Sequence, residues 1–246
     1  MHKLIPLSIR AQAIILGGIL GDGSLKLHAN YKNARYSFRH SAKQKNYFFW
    51  KAKELKEIAG KQSTWVQGKE KSDGWGDEKL RFQSIALPAL TNIYNLTHKG
   101  GKLKVRRRWL NMLNPLSLAI WWLDDGSLIS NSRKGVLCTD GFTAEDVKVL
   151  HQYLKKVWQI ETSIHEVGHR GQYRLHIRST EQLKKLLEII LPHICVEEML
   201  PKVLLLYNDS QLQQRWISEV SRLTGFSMLV VERQLAHKKL KWKKFR

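Results

Sequence analysis

Apolar residues recur at helical spacing in two segments of the chain, and each segment ends in the same tripeptide, Asp-Gly-Ser. The first segment follows Ser8 and reaches Asp22, and the second follows Asn114 and Pro115 and reaches Asp125. Ser and Asn cap helix N-termini, and Pro is favoured at the first helical position, so both segments carry a helix start signal. The pattern predicts two apolar helices that end at Asp-Gly.

A similar succession of elements follows each of these helices. Ser41 begins a capping box for a second helix over 47–58, and Thr143 begins a similar cap for a helix over 142–158. Alternating apolar and polar residues predict strands at 25–31, 35–40, 64–69 and 79–84, and again at 127–130, 135–139, 161–167 and 173–178. A last helix is predicted at 88–96 and at 182–190. The predicted fold class is therefore α+β, with a duplicated αββαββα unit.

This order of elements divides the chain into four parts. Residues 1–97 form the first subdomain, 98–113 a basic linker, 114–206 the second subdomain and 207–246 a C-terminal basic helical extension. Gly100 and Gly101 mark a flexible start of the linker. The last residues, 230–246, are rich in lysine, and we expect a solvated or disordered end that adds nonspecific affinity for phosphate.

The net charge of the chain points to a polyanionic partner. Lys and Arg outnumber Asp and Glu by 42 to 21, which gives +21 at pH 7, while 43% of the residues are hydrophobic. The excess charge opposes folding by self-repulsion, whereas the hydrophobic content suffices for a core. No apolar run approaches the roughly 20 residues of a membrane helix, and the two cysteines, Cys138 and Cys195, are too few for a disulfide framework. We expect an intracellular protein without a membrane partner.

The two aspartates that end the apolar helices are the candidate chemistry. A carboxylate at a helix C-terminus meets the negative end of the helix dipole, which disfavours it by up to ~1 kcal/mol unless a cation compensates. A divalent metal ion beside a phosphate is the simplest such cation, with Asp22 and Asp125 as ligands. The backbone carbonyls of Gly21 and Asp124 are further candidate ligands. The side chain of Asp124 is either an auxiliary ligand or a solvated acid at the helix end.

Basic residues alternate with apolar residues in several predicted strands. Residues 174–178 read Arg-Leu-His-Ile-Arg, and residues 79–83 repeat the pattern as Lys-Leu-Arg-Phe-Gln. One face of such a strand packs on the core, and a cationic β-ribbon fits the DNA major groove. A solvated antiparallel face is also polar, but these strands have almost no acids on the exposed side. The predicted DNA-binding residues are Lys26, His28, Arg35, Arg39, Lys69, Lys79, Arg81, Gln83, Arg133, Lys134, Arg170, Arg174, His176 and Arg178.

The two helix-plus-Asp-Gly segments resemble the signature of the LAGLIDADG homing endonucleases, in particular the single-chain members with two motifs. The resemblance extends from about Ser8 to Leu206 and places the final motif aspartates at Asp22 and Asp125. It implies a pseudo-two-fold pair of αββαββα subdomains whose two antiparallel β-sheets form a DNA-binding saddle. It also implies that Lys102 and Lys202, which follow the last helix of each half, line the active-site pocket and either order its water network or stabilise developing charge.

The two motif copies differ at the positions that pack one helix on the other. Close helix packing favours small residues, which the first copy has at Gly17, Gly18 and Gly21, whereas the second copy has Ile120 and Trp121. We therefore expect an asymmetric interface between the two signature helices.

The implied function is a monomeric, site-specific endonuclease that hydrolyses two phosphodiesters of double-stranded DNA across the minor groove. The resemblance implies a long asymmetric recognition site, cohesive 3′ ends, and Mg²⁺ or Mn²⁺ as cofactor, with two or three ions bound. A maturase that binds intron RNA on the same scaffold is the alternative, and a DNA-binding protein without nuclease activity has no use for acids facing phosphate. The sequence is compatible with an organelle (chloroplast or mitochondrion) and with a bacterial cytoplasm.

Overall fold

The structure is a computed structural model that describes residues 7–68, 78–168 and 171–243. It contains two units, Met1–Asp124 and Asp125–Arg246. Within the described ranges, no helix is both long and apolar enough to cross a membrane.

The first unit begins with a helix and alternates helices with antiparallel strands. Its elements are α1 (Ile9–Gly18), β1 (Gly23–Lys26), β2 (Arg35–Ser41), α2 (Lys45–Glu54), β3 (Thr64–Gln67), β4 (Lys79–Gln83), α3 (Pro88–Thr97), β5 (His98–Lys99), β6 (Lys102–Leu103), α4 (Arg107–Leu110) and α5 (Pro115–Asp125). Ser8 caps α1 by accepting a hydrogen bond from the Ala11 N–H, and the Asn114 side chain accepts one from the Ser117 N–H at the start of α5. Both predicted helix starts are therefore confirmed.

The second unit repeats the succession and adds helices at its end. Its elements are β7 (Gly126–Ile129), β8 (Lys134–Cys138), α6 (Ala144–Val157), β9 (Ser163–Val167), β10 (Gln172–Ile177), α7 (Thr180–Ile190), α8 (Ser210–Thr224) and α9 (Met228–Lys243). Short 3₁₀ segments, Leu191–His193 and Glu197–Lys202, connect α7 to α8. The Thr143 side chain caps α6 through the Asp146 N–H, as its sequence predicts.

Each unit carries a four-stranded antiparallel sheet, and the two sheets have the same topology. The strand orders are β1-β2-β4-β3 and β7-β8-β10-β9. Gly23 pairs with Phe38 in the first sheet, and Gly126 pairs with Leu137 in the second, so the registers also match. The α+β class and the duplication predicted from the sequence are confirmed.

Three strands, β2, β4 and β10, alternate buried and accessible side chains as the sequence predicts. In β2, Tyr36, Phe38 and His40 are buried, while Arg35 and Arg39 lie on the opposite face. The same alternation holds in β4 and β10. Helices α2 and α6 pack on the buried faces of their own sheets.

The two signature helices end differently. α5 continues to Asp125, as predicted, but α1 ends at Gly18 and not at Asp22. Beyond Gly18 the chain makes tighter turns, with the Leu20 N–H bonded to the Gly17 carbonyl and the Gly21 N–H to the Gly18 carbonyl. Glycine is a poor helix former, and this segment contains several glycines, so the α-helix gives way to 3₁₀-type turns before Asp22.

The close contact between α1 and α5 is asymmetric, as expected. A Cβ atom added to Gly17 would lie 2.3 Å from the Ser117 carbonyl oxygen and 3.0 Å from the Ile120 Cβ. A Cβ added to Gly21 would lie 2.5 Å from the Asp124 Cβ. Glycines of α1 and of the turn after it therefore make room for larger residues of α5.

The predicted basic linker contains regular structure. β5 pairs with β6, and the turn between them is Gly100-Gly101 with φ values of +57° and +76°. Successive residues with positive φ are typical of a tight type I′ hairpin turn, which glycine forms without strain. These glycines close a hairpin, and the flexibility expected at the start of the linker stays a prediction.

The C-terminal extension forms two helices, and α9 packs on α8 and on the 3₁₀ segment Glu197–Lys202. The Lys238 ammonium donates to the Pro201 carbonyl at 2.7 Å and to the Leu204 carbonyl at 2.6 Å. The expectation of a disordered end is therefore wrong for the described helix, which docks through Lys238, whereas most of its described side chains are exposed, as expected of a solvated end. Residues 244–246 lie outside the described part.

Candidate active site

Asp22 lies in the turn between α1 and β1, and its side chain is 41% exposed. The Nδ1 atom of His40 is 3.4 Å from the Asp22 Oδ2 atom, and the Asp22 N–H donates to the Asp124 Oδ2 atom over 3.4 Å. Neighbouring residues thus hold both the backbone and the side chain of Asp22. One edge of its carboxylate remains accessible to a ligand from solvent.

Asp124 is the centre of a buried polar network. The Lys51 ammonium lies 2.8 Å from both carboxylate oxygens of Asp124, and both side chains are 0% exposed. The Tyr47 hydroxyl donates to Oδ1 at 2.8 Å. The interpretation of Asp124 as a solvated acid is therefore wrong, because α2 covers its carboxylate and supplies a counter-charge.

Two buried tyrosines complete this region of the first unit. Burial raises the pKa of Tyr47 well above its usual value, and the Asp124 charge adds to the effect. Burial also raises the pKa of Tyr36, with smaller contributions from Asp124 and Asp22. Both phenols therefore stay protonated at neutral pH. Among the described residues the Tyr36 hydroxyl has no hydrogen-bond partner, and it lies where a Cβ of Gly18 or Gly23 would be.

Asp22, His40 and Asp124 offer ligand atoms that lie within 4.8 Å of one another. Carboxylate oxygens and imidazole nitrogen are common metal ligands in proteins. The Lys51 ammonium, however, already lies at Asp124 and 3.4 Å from the His40 Nε2 atom. The exposed carboxylate of Asp22 is thus the part of this cluster that is open to a cation. Neither His40 nor Lys51 belongs to the residues that the sequence pattern predicts for the site.

The second unit has its own group of ionisable residues around Cys138. Burial raises the pKa of the Cys138 thiol; Arg174 opposes the shift, Asp125 and Asp140 add to it, and Lys202 opposes it. Asp125 and Lys202 therefore act on the same half-buried thiol. The structure brings these two predicted residues into one neighbourhood, at the start of β7 and at the end of the 3₁₀ segment.

The solvent-accessible face of the first sheet is cationic, as predicted. Arg39 and Arg81 are direct cross-strand partners, and Trp65 is the partner of Arg81 on its other side. Like charges directly opposite each other destabilise a sheet, so this pair is better suited to an anionic partner than to solvent. Trp65 is 42% exposed. The sequence analysis did not select it, although alternation along β3 places it opposite Arg81.

The accessible face of the second sheet is partly engaged within the protein. Arg174 forms a bidentate pair with Asp140, with distances of 2.8 to 3.0 Å. The rings of His165 and His176 lie 4.5 Å apart, and Arg178 contacts His165. Burial lowers the pKa of His176, and the nearby positive charges of His165, Arg178 and Arg174 lower it further. His176 is therefore poised as a neutral hydrogen-bonding group.

The remaining predicted site residues of the described part lie on strands or in the loops beside them. Lys26 and His28 are exposed at the end of β1 and beyond it, Arg133 and Lys134 are exposed around the start of β8, and Lys102 is exposed in β6. Lys79 and Gln83 lie on the accessible face of β4, and the Arg35 guanidinium stacks on the Tyr31 ring at 4.5 Å. Lys69 and Arg170 lie outside the described residues.

The fold and these sites define a duplicated α+β protein with an acid at the end of each motif and a cationic face on the first sheet. The sequence matches the LAGLIDADG DNA endonuclease family over residues 12–186. The chain therefore belongs to the LAGLIDADG DNA endonuclease family.

Individual relatives share the fold and limited sequence identity. The chain is 27% identical over 235 residues to "Protein RecA" of Mycolicibacterium flavescens, covering 89% of this chain and 52% of that protein. It is 24% identical over 191 residues to "Cytochrome b mRNA maturase bI2" of Debaryomyces hansenii, covering 77% of this chain and 72% of that protein. The chain thus spans about half the length of the RecA relative.

A solved structure supports the fold. The homing endonuclease I-WcaI, bound to its DNA recognition sequence, matches with a TM-score of 0.71 and 21% identity. The match covers 82% of this chain and 89% of that chain.

Proposed function

We propose that this protein is a site-specific endonuclease that cleaves double-stranded DNA with a divalent metal ion. The observation that carries the proposal is the acid at the end of each motif copy. Charged or polar side chains lie near both acids. Asp22 is held by His40 and by the Asp124 carboxylate, and Asp125 shares a neighbourhood with Lys202. A protein that only binds DNA gains nothing from carboxylates that face phosphate.

The residues fit Mg²⁺ or Mn²⁺, which prefer oxygen ligands. Asp22 offers an exposed carboxylate beside a neutralised partner, and carbonyls near the end of a helix, such as those of Gly21 and Asp124, are natural additional ligands. When bound, two or three such ions supply a nucleophilic water near neutral pH and stabilise charge on the scissile phosphate. Lys102 and Lys202 are proposed to stabilise the same developing charge.

The proposed substrate is a duplex with a long asymmetric site, read by the accessible faces of the two sheets. Arg, Lys, Gln and His side chains on strands reach base edges and phosphates in the major groove. The family membership and the net charge of +21 support this partner. Each unit reads one part of the site, and a monomer suffices because the chain carries both motif copies.

The roles of the two acids are tested with Asp22→Asn and Asp125→Asn on a duplex selected from a library of cleaved sequences. Each variant should nick only one strand, with the other strand cut more slowly by about 100-fold or more, because a metal ligand is lost at one centre. Duplex binding should stay equal or tighten, because repulsion from phosphate falls.

Two results would speak against this assignment. The first is cleavage of both strands at the normal rate by either variant at the same Mg²⁺ concentration. The second is loss of binding together with loss of folding, which indicates a structural role. Arg222→Gln on α8, where Arg222 pairs with Glu219, serves as the control for the loss of a charged group outside both motif copies.

The similarity to the bI2 maturases favours a second candidate, assistance of intron RNA splicing. This function does not need the two carboxylates. A double variant, Asp22→Asn with Asp125→Asn, should lose DNA cleavage but keep any effect on splicing of a bound intron RNA. If wild-type protein neither binds structured RNA nor accelerates splicing, the maturase candidate is discarded.

A further inference from the structure

The ion pair between Lys51 and Asp124 is unusual because both charges are fully buried. Lys51 lies in the last turn of α2, and Asp124 lies in the last turn of α5. The ammonium contacts both carboxylate oxygens at 2.8 Å, and the Tyr47 hydroxyl contacts one of them. The protein itself therefore neutralises the Asp124 side chain.

This pair joins the two repeats, with Lys51 from the first and Asp124 from the second, and the matching positions of the duplicated pattern hold no such pair. Gly21 holds the motif position in the first copy that Asp124 holds in the second. The buried residues of α2 match those of α6, so Leu150 takes the place of Lys51, and the strand registers put Thr139 in the place of His40. The common scaffold folds without the pair. Replacing a buried ion pair by apolar residues is often neutral or stabilising, so stability alone does not explain why it is here.

The pair lies directly against Asp22. The Asp124 Oδ2 atom accepts the Asp22 N–H, and His40 lies between Asp22 and Lys51. The His40 Nε2 atom lies 3.4 Å from the Lys51 Nζ atom and 3.9 Å from the Asp124 Oδ1 atom. An ammonium group has donors only, so a hydrogen bond over the shorter distance requires Nε2 as the acceptor. The ring hydrogen is then on Nδ1, which faces the Asp22 Oδ2 atom. Lys51 thus fixes the tautomer that lets His40 donate to Asp22.

We propose that the Lys51–Asp124 pair positions Asp22 by holding its backbone N–H directly and its carboxylate through His40. The inference rests on the proposed function of Asp22. Lys51 provides the positive charge that a metal ion would otherwise provide at the Asp124 carboxylate, so the Asp124 side chain is not a metal ligand. Lys51, His40 and Asp124 are positioning residues. They act only at the catalytic centre that contains Asp22 and cuts one of the two DNA strands.

A double-mutant cycle tests the proposal, with Lys51→Leu, Asp124→Ala and the double variant K51L/D124A. Lys51→Leu leaves a buried carboxylate without a counter-charge and should lower Tm by roughly 10 °C. The double variant should recover most of this loss because no buried charge remains. It should nevertheless cut the strand assigned to Asp22 about tenfold more slowly, with the other strand near its normal rate. Asp22→Asn identifies which strand that is.

A second measurement does not depend on activity. Imidazole ¹⁵N NMR of the wild-type protein should show His40 with its hydrogen on Nδ1, and K51L/D124A should lose this fixed tautomer. Asp146→Asn is the matched control, because Asp146 is a buried acid of the second unit at the helix position that corresponds to Tyr47. It should change stability without changing the ratio of the two strand rates.

The outcomes separate this proposal from the function on which it rests. The positioning role is overturned if K51L/D124A cuts the two strands in the wild-type ratio, or if wild-type His40 carries its hydrogen on Nε2. Equal slowing of both strands also overturns it and indicates a structural role. If the wild-type protein cuts no duplex at all, the proposed function fails, and the NMR result alone decides whether the hydrogen-bond network exists.

Discussion

At the scale of single residues, Gly17 shows how tightly the two signature helices approach. The main chain of α1 contacts the carbonyl of Ser117 on α5, and no side chain fits between them. Such contacts let backbones pack closely, but they make the position intolerant of any Cβ atom. The two short segments that end in acids are therefore held by direct backbone packing.

Gly17→Ala should reduce the free energy of unfolding by about 2 kcal/mol, because the strain of forcing the helices apart exceeds the helix propensity gained. Thermal denaturation measures the loss. Gly141→Ala is the control, because nothing lies within 4 Å of its added Cβ, and it should change stability by less than about 0.5 kcal/mol. Equal Tm values for the two variants would contradict the close packing.

The site residues that could be predicted from the sequence are those that belong to a repeated or alternating pattern. Asp22 and Asp125 stand out because they end matching segments, and the basic residues of β2, β4 and β10 stand out because they alternate. His40 and Lys51 lie on the buried faces of β2 and α2, where the pattern leads one to expect apolar residues. The proposed role of His40 and Lys51 depends on the contact between Lys51 and Asp124. These two residues are 73 positions apart in the sequence, and no local rule predicts that they meet.

At the scale of elements, α9 is the helix whose role differs most from its sequence pattern. Its lysines suggest a solvated tail, but Lys238 points into the carbonyls of Pro201 and Leu204, which flank Lys202. Arg233 and Gln234 bind Glu197 at the other end of the same segment. α9 thus fixes the segment that carries a proposed active-site lysine. Propensity and charge predicted the helix but not its docking surface.

Lys238 should make stability depend on pH above neutrality. Burial lowers its pKa from 10.5 to about 7, so between these values the unfolded chain holds a proton that the folded protein has lost. The free energy of unfolding should then rise with pH across this window by at most about 1.4 kcal/mol per pH unit from this residue, with no contribution to the slope below pH 7. The measurement is the difference in Tm between wild type and Lys238→Met from pH 6 to pH 9. A constant difference would refute the prediction.

Most boundaries of the elements could be predicted because caps and alternation are local. Thr143 fixes the start of α6, and the strands of both sheets overlap their predicted ranges, although β1 ends at Lys26 and not at residue 31. The end of α1 could not be predicted, because the glycines after Gly18 permit several turn geometries and packing selects one of them. Likewise, Gly100 and Gly101 indicate a break, but the pairing of β5 with β6 makes it a hairpin.

At the scale of the whole molecule, the excess of positive charge has opposite effects on folding and on binding. The net charge of +21 disfavours the folded state through repulsion, while the same charges attract a polyanion and release its counterions. The opposed pair Arg39 and Arg81 is a local instance of this conflict. Composition alone was sufficient to predict that the net charge has opposite effects on folding and on binding.

Added salt should therefore raise the Tm of the free protein and weaken its binding to duplex DNA. Arg39→Gln should reduce the slope of log K against log salt by about one and stabilise the free protein by about 0.5 kcal/mol, because it removes one of two facing charges. Fluorescence anisotropy at several salt concentrations gives the slope. Arg222→Gln is the control, since Glu219 already pairs with Arg222, and an equal change in slope there would argue against the sheet face.

The one-sided ion pair also limits how this chain can be re-engineered. A symmetric homodimer made by duplicating residues 1–97 would carry glycine at both motif positions and would bury two lysine ammonium groups without a carboxylate. A chimera that joins this first half to a second half without an acid at position 124 would have the same defect unless position 51 changes as well. The two halves share one order of helices and strands, but one half cannot replace the other without changing the residues of this ion pair.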